Sequence, residues 1–152
     1  MKRILPVLLP VCAALFACRA SSGGDGDADA LFGSWIVDGL PDGGTLLEDA
    51  SEKPNLALAP LGGDGGDDSP DLASIAGRAG CNRFGGEVTV QADGSFACGP
   101  LVTTKMVCPP PIMAVEQAVL SALSSATTWK VQDGSLRLSG PAGELVLVPA
   151  AE

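Results

Sequence analysis

The chain has 152 residues, with 18 acidic and nine basic side chains for a formal charge of −9, and it contains neither histidine nor tyrosine. Without histidine there can be no Ser-His-Asp or Cys-His activation of a nucleophile and no imidazole acid–base chemistry, and the commonest zinc sites are excluded. A chain this acidic, with no basic patch along its sequence, is repelled by phosphate backbones, so we expect no nucleic-acid partner.

The first 17 residues have the form of an export signal. Two basic residues precede an apolar run over residues 4–17. This run is shorter than a typical membrane-spanning helix. The run ends in LFAC at Cys18, which resembles the lipobox of bacterial lipoproteins, where the thiol receives a diacylglycerol. We predict a signal peptide over 1–17 and lipidation of Cys18; the alternative is an ordinary secretory signal that happens to contain a cysteine.

Residues 18–30 are predicted to be the lipidated cysteine and a flexible tether, since after Arg19 they are mainly Ser, Gly, Asp and Ala. The lipid would supply the membrane contact. Lipoproteins kept in the inner membrane of Gram-negative cells resemble one another in having Asp after the cysteine. Arg19 stands there instead, which favours the outer membrane, with the domain facing the periplasm. Residues 31–149 suit a single domain with one core.

Alternating apolar and polar residues, separated by Asp-Gly turn signals, predict a mainly β domain with mostly antiparallel neighbours. The predicted strands are Gly33–Asp38, Asn55–Ala59, Leu72–Ala76, Glu87–Gln91, Ser95–Cys98, Val102–Met106, Trp129–Gln132, Ser135–Ser139 and Glu144–Val148. After three prolines, apolar residues recur every three or four positions, which predicts one amphipathic helix from Ile112 to about Ser125. Its apolar stripe would cover one end or open side of the sheet.

Residues 61–71 form a Gly/Asp-rich insertion. Residues 62–67 contain one copy of the GGxGxD pattern of calcium-binding β-rolls, but a roll binds calcium between stacked repeats, so we predict a solvated loop. No CxxC, Walker or dinucleotide-binding motif occurs in the sequence. We therefore predict no catalytic residues, no metal and no cofactor.

The stretch AGCNRFGG, residues 79–86, carries the first of three cysteines that would remain in the domain. An exported chain meets an oxidising compartment, so at least two of these thiols are expected in a disulfide. Three single bridges are possible. We favour Cys81–Cys108, because both lie at segment ends next to chain-reversing residues, whereas Cys98 shares a face with Phe96 and can serve as a small buried hydrophobe.

The rest of the stretch is interpreted as a structural corner. Gly85 and Gly86 are expected where the chain turns sharply between strands. Asn82 can satisfy nearby backbone groups, as Asn does in turns. Arg83 needs an acceptor if it is not fully solvated, and Glu116, which adjoins the apolar stripe of the helix, is the candidate partner.

Four motifs, taken in order, resemble the META domain family, which includes HslJ-like heat-inducible lipoproteins. They are GSWIV, IAGRAGCNRFGGEV, GPLVTTKMVCPPPIMAVEQAVLSAL and DGSLRLSG followed by GELVLV. The resemblance implies a small barrel-like antiparallel sheet with one helix. It also implies framework roles, with no established catalysis, for Cys81, Asn82, Arg83, Thr104, Met106, Cys108 and Glu116. The insertion at 61–71 and the extra Cys98 depart from the family pattern.

Members of this family are associated with envelope stress, antibiotic tolerance, secretion or motility, without a defined reaction. We therefore expect a non-enzymatic, lipid-anchored cell-envelope protein that acts by contact with an envelope protein partner, in a setting of envelope stress or antibiotic tolerance. The alternative is a binding module whose barrel holds an apolar ligand, or whose tether inhibits a secreted protease. An enzyme comes third, since the usual acid–base and nucleophile sets are missing.

Overall fold

The computed structural model describes residues 28–44, 46, 53–62 and 71–151. The predicted signal peptide, Cys18 and most of the tether lie outside these residues, as does most of the Gly/Asp insertion. The elements are β1 (Gly33–Gly39), β2 (Asn55–Pro60), β3 (Asp71–Arg78), β4 (Arg83–Val90), β5 (Phe96–Cys98), β6 (Val102–Thr103), α1 (Pro110–Ser125), β7 (Thr128–Gln132), β8 (Ser135–Gly140) and β9 (Gly143–Pro149). Among the described residues, no helix is long and apolar enough to cross a membrane.

The strands form one antiparallel sheet that curls almost into a barrel. Their order is β5-β4-β3-β2-β1-β9-β8-β7, and the short β6 pairs with β4 beside β5. The two end strands meet where the amide of Phe96 donates to the carbonyl of Thr127 (2.9 Å) and the amide of Trp129 donates to Gly94 (2.8 Å). The mainly β, barrel-like fold with one α-helix is therefore confirmed for the part of the chain that the structure describes.

The core fills the inside of this barrel and the space beneath the helix. Apolar side chains from the sheet alternate inward, as the period of two predicts, and join one buried cluster with α1. The helix contributes Val115, Val119, Ala122 and Leu123 to it and packs against β5, β8 and β9. Each fully buried aliphatic side chain contributes about 1.5–3 kcal/mol, so this cluster is the main source of stability.

The largest differences from the predicted boundaries are in β4 and β6. Strand β4 begins at Arg83 and not at Glu87, so Gly85 and Gly86 lie within a strand and not in a turn. A Cβ at Gly86 would lie 2.9 Å from the carbonyl oxygen of Pro100. Glycine is needed there because the segment at Pro100 passes close to β4. Strand β6 ends at Thr103, and beyond it the Thr104 hydroxyl and the Met106 amide donate to Oδ1 of Asn82.

Gly77 marks another close approach, between β2 and β3. A Cβ there would lie 2.0 Å from the carbonyl oxygen of Asn55 and 2.7 Å from Cα of Leu56, although the Gly77 backbone is not left-handed. Neither atom belongs to a flexible side chain, so the strands themselves would have to separate. Gly85, on the neighbouring strand, has nothing closer than the carbonyl oxygen of Ile75 at 3.8 Å.

We expect Gly77→Ala to lower the free energy of unfolding by about 2 kcal/mol, the usual cost of forcing extra volume into a packed site. Gly85→Ala is the matched control and should change it by less than about 0.5 kcal/mol, since its methyl group meets ordinary contact distances. Urea unfolding at constant slope measures both values. Equal urea midpoints for the two variants would show that β2 and β3 do not pack closely at Gly77.

Candidate functional site

The stretch 79–86 connects β3 to β4 through a tight turn in which the amide of Ala79 donates to the carbonyl of Asn82 (3.1 Å). The alternation of β4 extends back into this turn. Asn82 and Phe84 point inward and are buried, whereas Arg83 between them points outward and is exposed. The stretch therefore presents different side chains to the core and to solvent.

The Asn82 side chain uses its full hydrogen-bonding capacity inside the protein. Its Oδ1 accepts from the amide of Met106 (2.6 Å) and from Oγ1 of Thr104 (2.9 Å). Its Nδ2 donates to the carbonyl of Met106 (3.1 Å) and to Oε1 of Glu116 (2.9 Å). A carboxamide offers two donors and two acceptor lone pairs, so no capacity is left for a ligand.

Glu116 is the acidic group of this site and is only 6 % exposed. Its Oε2 accepts from the backbone amide of Asn82 (2.6 Å), while Oε1 accepts from the Asn82 side chain. Gly80 lets the helix come this close, because a Cβ there would lie 3.0 Å from the carbonyl oxygen of Ile112 and 3.1 Å from Cβ of Glu116. Both carboxylate oxygens are thus engaged by one residue of the turn.

The predicted pairing of Arg83 with Glu116 is wrong. Arg83 lies on the outer face of β4, one residue out of phase with the buried Asn82, so its side chain points away from the helix. Only the backbone of Arg83 takes part in the site: its amide donates to Oγ1 of Thr104 (3.1 Å), and its carbonyl accepts from the amide of Thr104 (3.0 Å).

Met106 also takes part through its backbone alone. Its amide and carbonyl both bond to Asn82, whereas its side chain is 51 % exposed. The family resemblance placed Met106 among the framework residues but did not indicate that its contacts would come from the main chain. We call the contacts among Asn82, Thr104, Met106 and Glu116 the Asn82 hub.

A disulfide joins Cys81 and Cys108, the pairing favoured from the sequence, and closes a loop with a sequence separation of 27. It lies beside the Asn82 hub and covalently ties the β3–β4 turn to the segment that follows β6. Cys98 is the free cysteine of the described chain and is partly buried, with Sγ near the carbonyl oxygen of Gly99 (3.4 Å). Burial raises the pKa of the Cys98 thiol, which keeps it protonated and a poor nucleophile.

These contacts engage the polar motif residues within the protein itself. The buried carboxylate and carboxamide bond to each other and to the backbone, and two of the three thiols are oxidised. Among the described residues, no group of three or more His, Cys, Asp or Glu side chains is placed to hold a metal ion. The Asn82 hub is a structural fastening between the β3–β4 turn, the segment after β6 and the helix.

Over the described residues, the fold and the Asn82 hub define a small antiparallel β-barrel domain joined to one helix. The chain belongs to the META domain family, whose model matches residues 29–152. An NMR structure of a protein from Burkholderia xenovorans is similar in fold, with a TM-score of 0.61 and 21 % identity over 100 % of this chain and 99 % of that one. A second NMR structure has a TM-score of 0.54 and 19 % identity, covering 76 % and 87 % of the two chains. The search of curated proteins gives no match.

We expect Glu116→Gln to lower the free energy of unfolding by about 2 kcal/mol, although the side chain keeps its shape. The new amide would turn its N–H groups toward a donor of Asn82, so one charge-assisted bond is lost and a buried donor has no acceptor. Glu87→Gln, on the exposed face of β4, is the matched control and should have almost no effect. Chemical unfolding that gives equal stabilities for both variants would contradict the Asn82 hub.

We expect replacement of both Cys81 and Cys108 by alanine to cost about 3.5 kcal/mol, the chain-entropy value for a loop of this length. Cys98→Ala serves as the control and should cost less than about 1 kcal/mol, because that side chain is small and only partly buried. A reducing agent should lower the thermal midpoint of the wild type and of Cys98→Ala but not that of the double variant. If it shifts all three equally, the bridge is not Cys81–Cys108.

Proposed function

We propose that the protein is a non-enzymatic lipoprotein of the bacterial cell envelope, which carries its lipid on Cys18 and its META domain on the tether of residues 19–30. The domain works by contact with another envelope protein, on the periplasmic side of the outer membrane. One observation carries the non-enzymatic part of this proposal. The motif residues that have chemistry to offer are engaged in the Asn82 hub and in the Cys81–Cys108 disulfide.

The disulfide also supports export. Disulfides form and persist in oxidising compartments and are rare in the cytosol. The cysteine pair of the domain therefore fits the export signal of residues 1–17 and the lipobox-like LFAC sequence that follows it. The flexible composition between Cys18 and the first described residues suits a domain held at a distance from a bilayer.

The packing of the barrel supports a surface function over an internal ligand. Small barrels have an interior just wide enough for side chains to fill, and here Trp35 and Trp129 are buried members of the core cluster. Their indole N–H groups are satisfied by the carbonyls of Leu31 (2.9 Å) and Gln91 (3.0 Å). An apolar ligand would have to displace this packed cluster, so the outer surface is the part of the domain available for contacts.

The lipid anchor is tested by two serine substitutions. We expect Cys18→Ser to abolish the mass added by acylation and to release the protein from washed membranes, because the thiol is the acceptor. Cys12→Ser is the matched control: the residue lies in the signal peptide and is removed with it, so the mature mass and the membrane association should equal those of the wild type. Intact mass spectrometry and membrane fractionation measure both. A Cys18→Ser chain that stays acylated overturns the proposal.

The same variants test the physiological setting. A strain without the protein should survive envelope-directed antibiotics less well, and the wild-type and Cys12→Ser genes should restore survival. Cys18→Ser should not restore it, since the domain would be detached from its partner's membrane. Full rescue by Cys18→Ser would separate the role of the domain from the anchor.

A further inference from the structure

Residues 102–107, which begin with β6 and continue beyond it, run beside β4 and the turn before it. The Thr104 amide donates to the carbonyl of Arg83 (3.0 Å), and the Met106 amide donates to Oδ1 of Asn82 (2.6 Å). Every second residue of this segment is therefore bonded on the side that faces β4, as in an antiparallel ladder.

The backbone groups between these bonded positions form an open edge. Thr103 lies opposite Phe84 at a non-hydrogen-bonded position of the ladder, since the bond from Thr104 fixes the phase. In the described part of the chain, neither the amide nor the carbonyl of Thr103 or Lys105 makes a hydrogen bond. Among the described strands, β6 pairs only with β4. An edge of this kind is a template on which another strand can pair.

The side chains along the open edge also lack contacts. Among the described residues, five large apolar side chains are exposed, and three of them belong to this segment: Val102 (78 %), Met106 (51 %) and Val107 (94 %). Val102 and Met106 are four residues apart in an extended segment, so they lie on the same face. A strand added at the edge would remove both from water, which is favourable.

The segment also lies in an acid-free part of an acidic chain. No Asp or Glu occurs between Asp93 and Glu116, and Glu116 is buried. The whole chain carries a charge of −9, so two copies repel each other when their acidic surfaces meet. Contact along the open edge brings no carboxylate of this region against a carboxylate of the other copy.

We propose that two copies of this chain pair through the open edge, as a two-fold symmetric dimer whose 102–107 segments are antiparallel and centred on Thr104. This register places Thr103 of each copy opposite Lys105 of the second copy. The free amide and carbonyl of each residue then bond to those of the other, so that the pairing satisfies the open edge of both copies. A two-fold contact of this kind uses the same surface twice, as most homodimers do.

The side chains favour this register over its neighbours. It places Val102 opposite Met106 of the second copy at a non-hydrogen-bonded position, where cross-strand side chains approach most closely. Two exposed apolar residues thus cover each other on both sides of the axis. A register centred on Lys105 would instead place two like charges directly opposite, which is destabilising.

The dimer is expected to be weak, because a contact this short is smaller than the roughly 800 Å² per partner of a stable interface. Confinement of both copies to one membrane would raise their effective concentration. The pairing itself needs neither the lipid nor the envelope partner, so it can fail or succeed separately from the proposed function.

The register is tested by disulfide trapping in the full chain carrying both Val102→Cys and Met106→Cys. Opposite residues at a non-hydrogen-bonded position have Cα atoms about 4.5 Å apart, which suits a disulfide. Within one chain the two positions are too far apart to bridge, because the segment between them is extended. Mild oxidation with copper phenanthroline should therefore give a covalent dimer on a non-reducing gel, and peptide mapping by mass spectrometry should find the bridge between positions 102 and 106.

Three single variants are the controls. Val102→Cys and Met106→Cys alone place no thiol opposite another, and Leu72→Cys carries a thiol at an exposed apolar position of β3. We expect the double variant to form about tenfold more dimer than any of them, since pairing raises the effective concentration of its thiols. Adding Thr103→Pro to the double variant removes the outward amide at a position where an edge strand tolerates proline, and should lower the yield.

The proposal is overturned by equal yields from the double variant and the single variants, which would indicate random collision. It is also overturned by a bridge joining position 102 to 102 or 106 to 106, or by the absence of a covalent dimer. Thermal midpoints of all variants under reducing and non-reducing conditions distinguish a lost contact from a lost fold, and the comparison of double and single variants stands even if Thr103→Pro does not fold.

Discussion

The buried contact between Asn82 and Glu116 is the constraint on which the rest of the domain depends. A carboxylate that is only 6 % exposed is costly unless donors surround it, and the turn before β4 supplies both donors from a single residue. The same residue uses its remaining capacity on the backbone of Met106 and the hydroxyl of Thr104. Removing the Asn82 side chain would therefore leave unsatisfied groups on two other chain segments, the one after β6 and the helix, of which the helix carries the charged one.

This arrangement explains why one helix is enough for a barrel of this size. The helix has no side-chain cap at its N-terminus, where prolines replace the usual capping residues, and its position is set instead by Glu116 and by the disulfide next to it. Gly80 removes the side chain that would keep the turn and the helix apart. Once the first turns are held, the apolar stripe at Val115, Val119 and Leu123 closes the core. Polar contacts thus fix the geometry, while apolar burial provides most of the stability.

Much of the fold could be predicted from local patterns, because the strand period, the Asp-Gly turns and the apolar stripe of the helix are each properties of a short segment. The sequence also favoured the observed disulfide. The partner of Glu116 could not be predicted in this way, since the choice between Asn82 and Arg83 depends on the phase of β4. That phase follows from where the strand begins, four residues earlier than expected, and from the inward position of Phe84.

The inward–outward alternation of residues 82–84, which the sequence prediction did not include, divides the motif between the core and the exposed surface. Asn82 and Phe84 are committed to the interior, where any change in them disturbs the hub or the core. Arg83 lies between them, held in place by backbone bonds to Thr104 on one side and by pairing with β3 on the other. The Arg83 backbone is thus hydrogen-bonded on both sides, while its side chain is exposed. A charged group on a fixed strand loses less freedom on binding than one on a mobile loop. The contacts that hold Thr104 in the Asn82 hub therefore also fix the strand position from which Arg83 faces solvent.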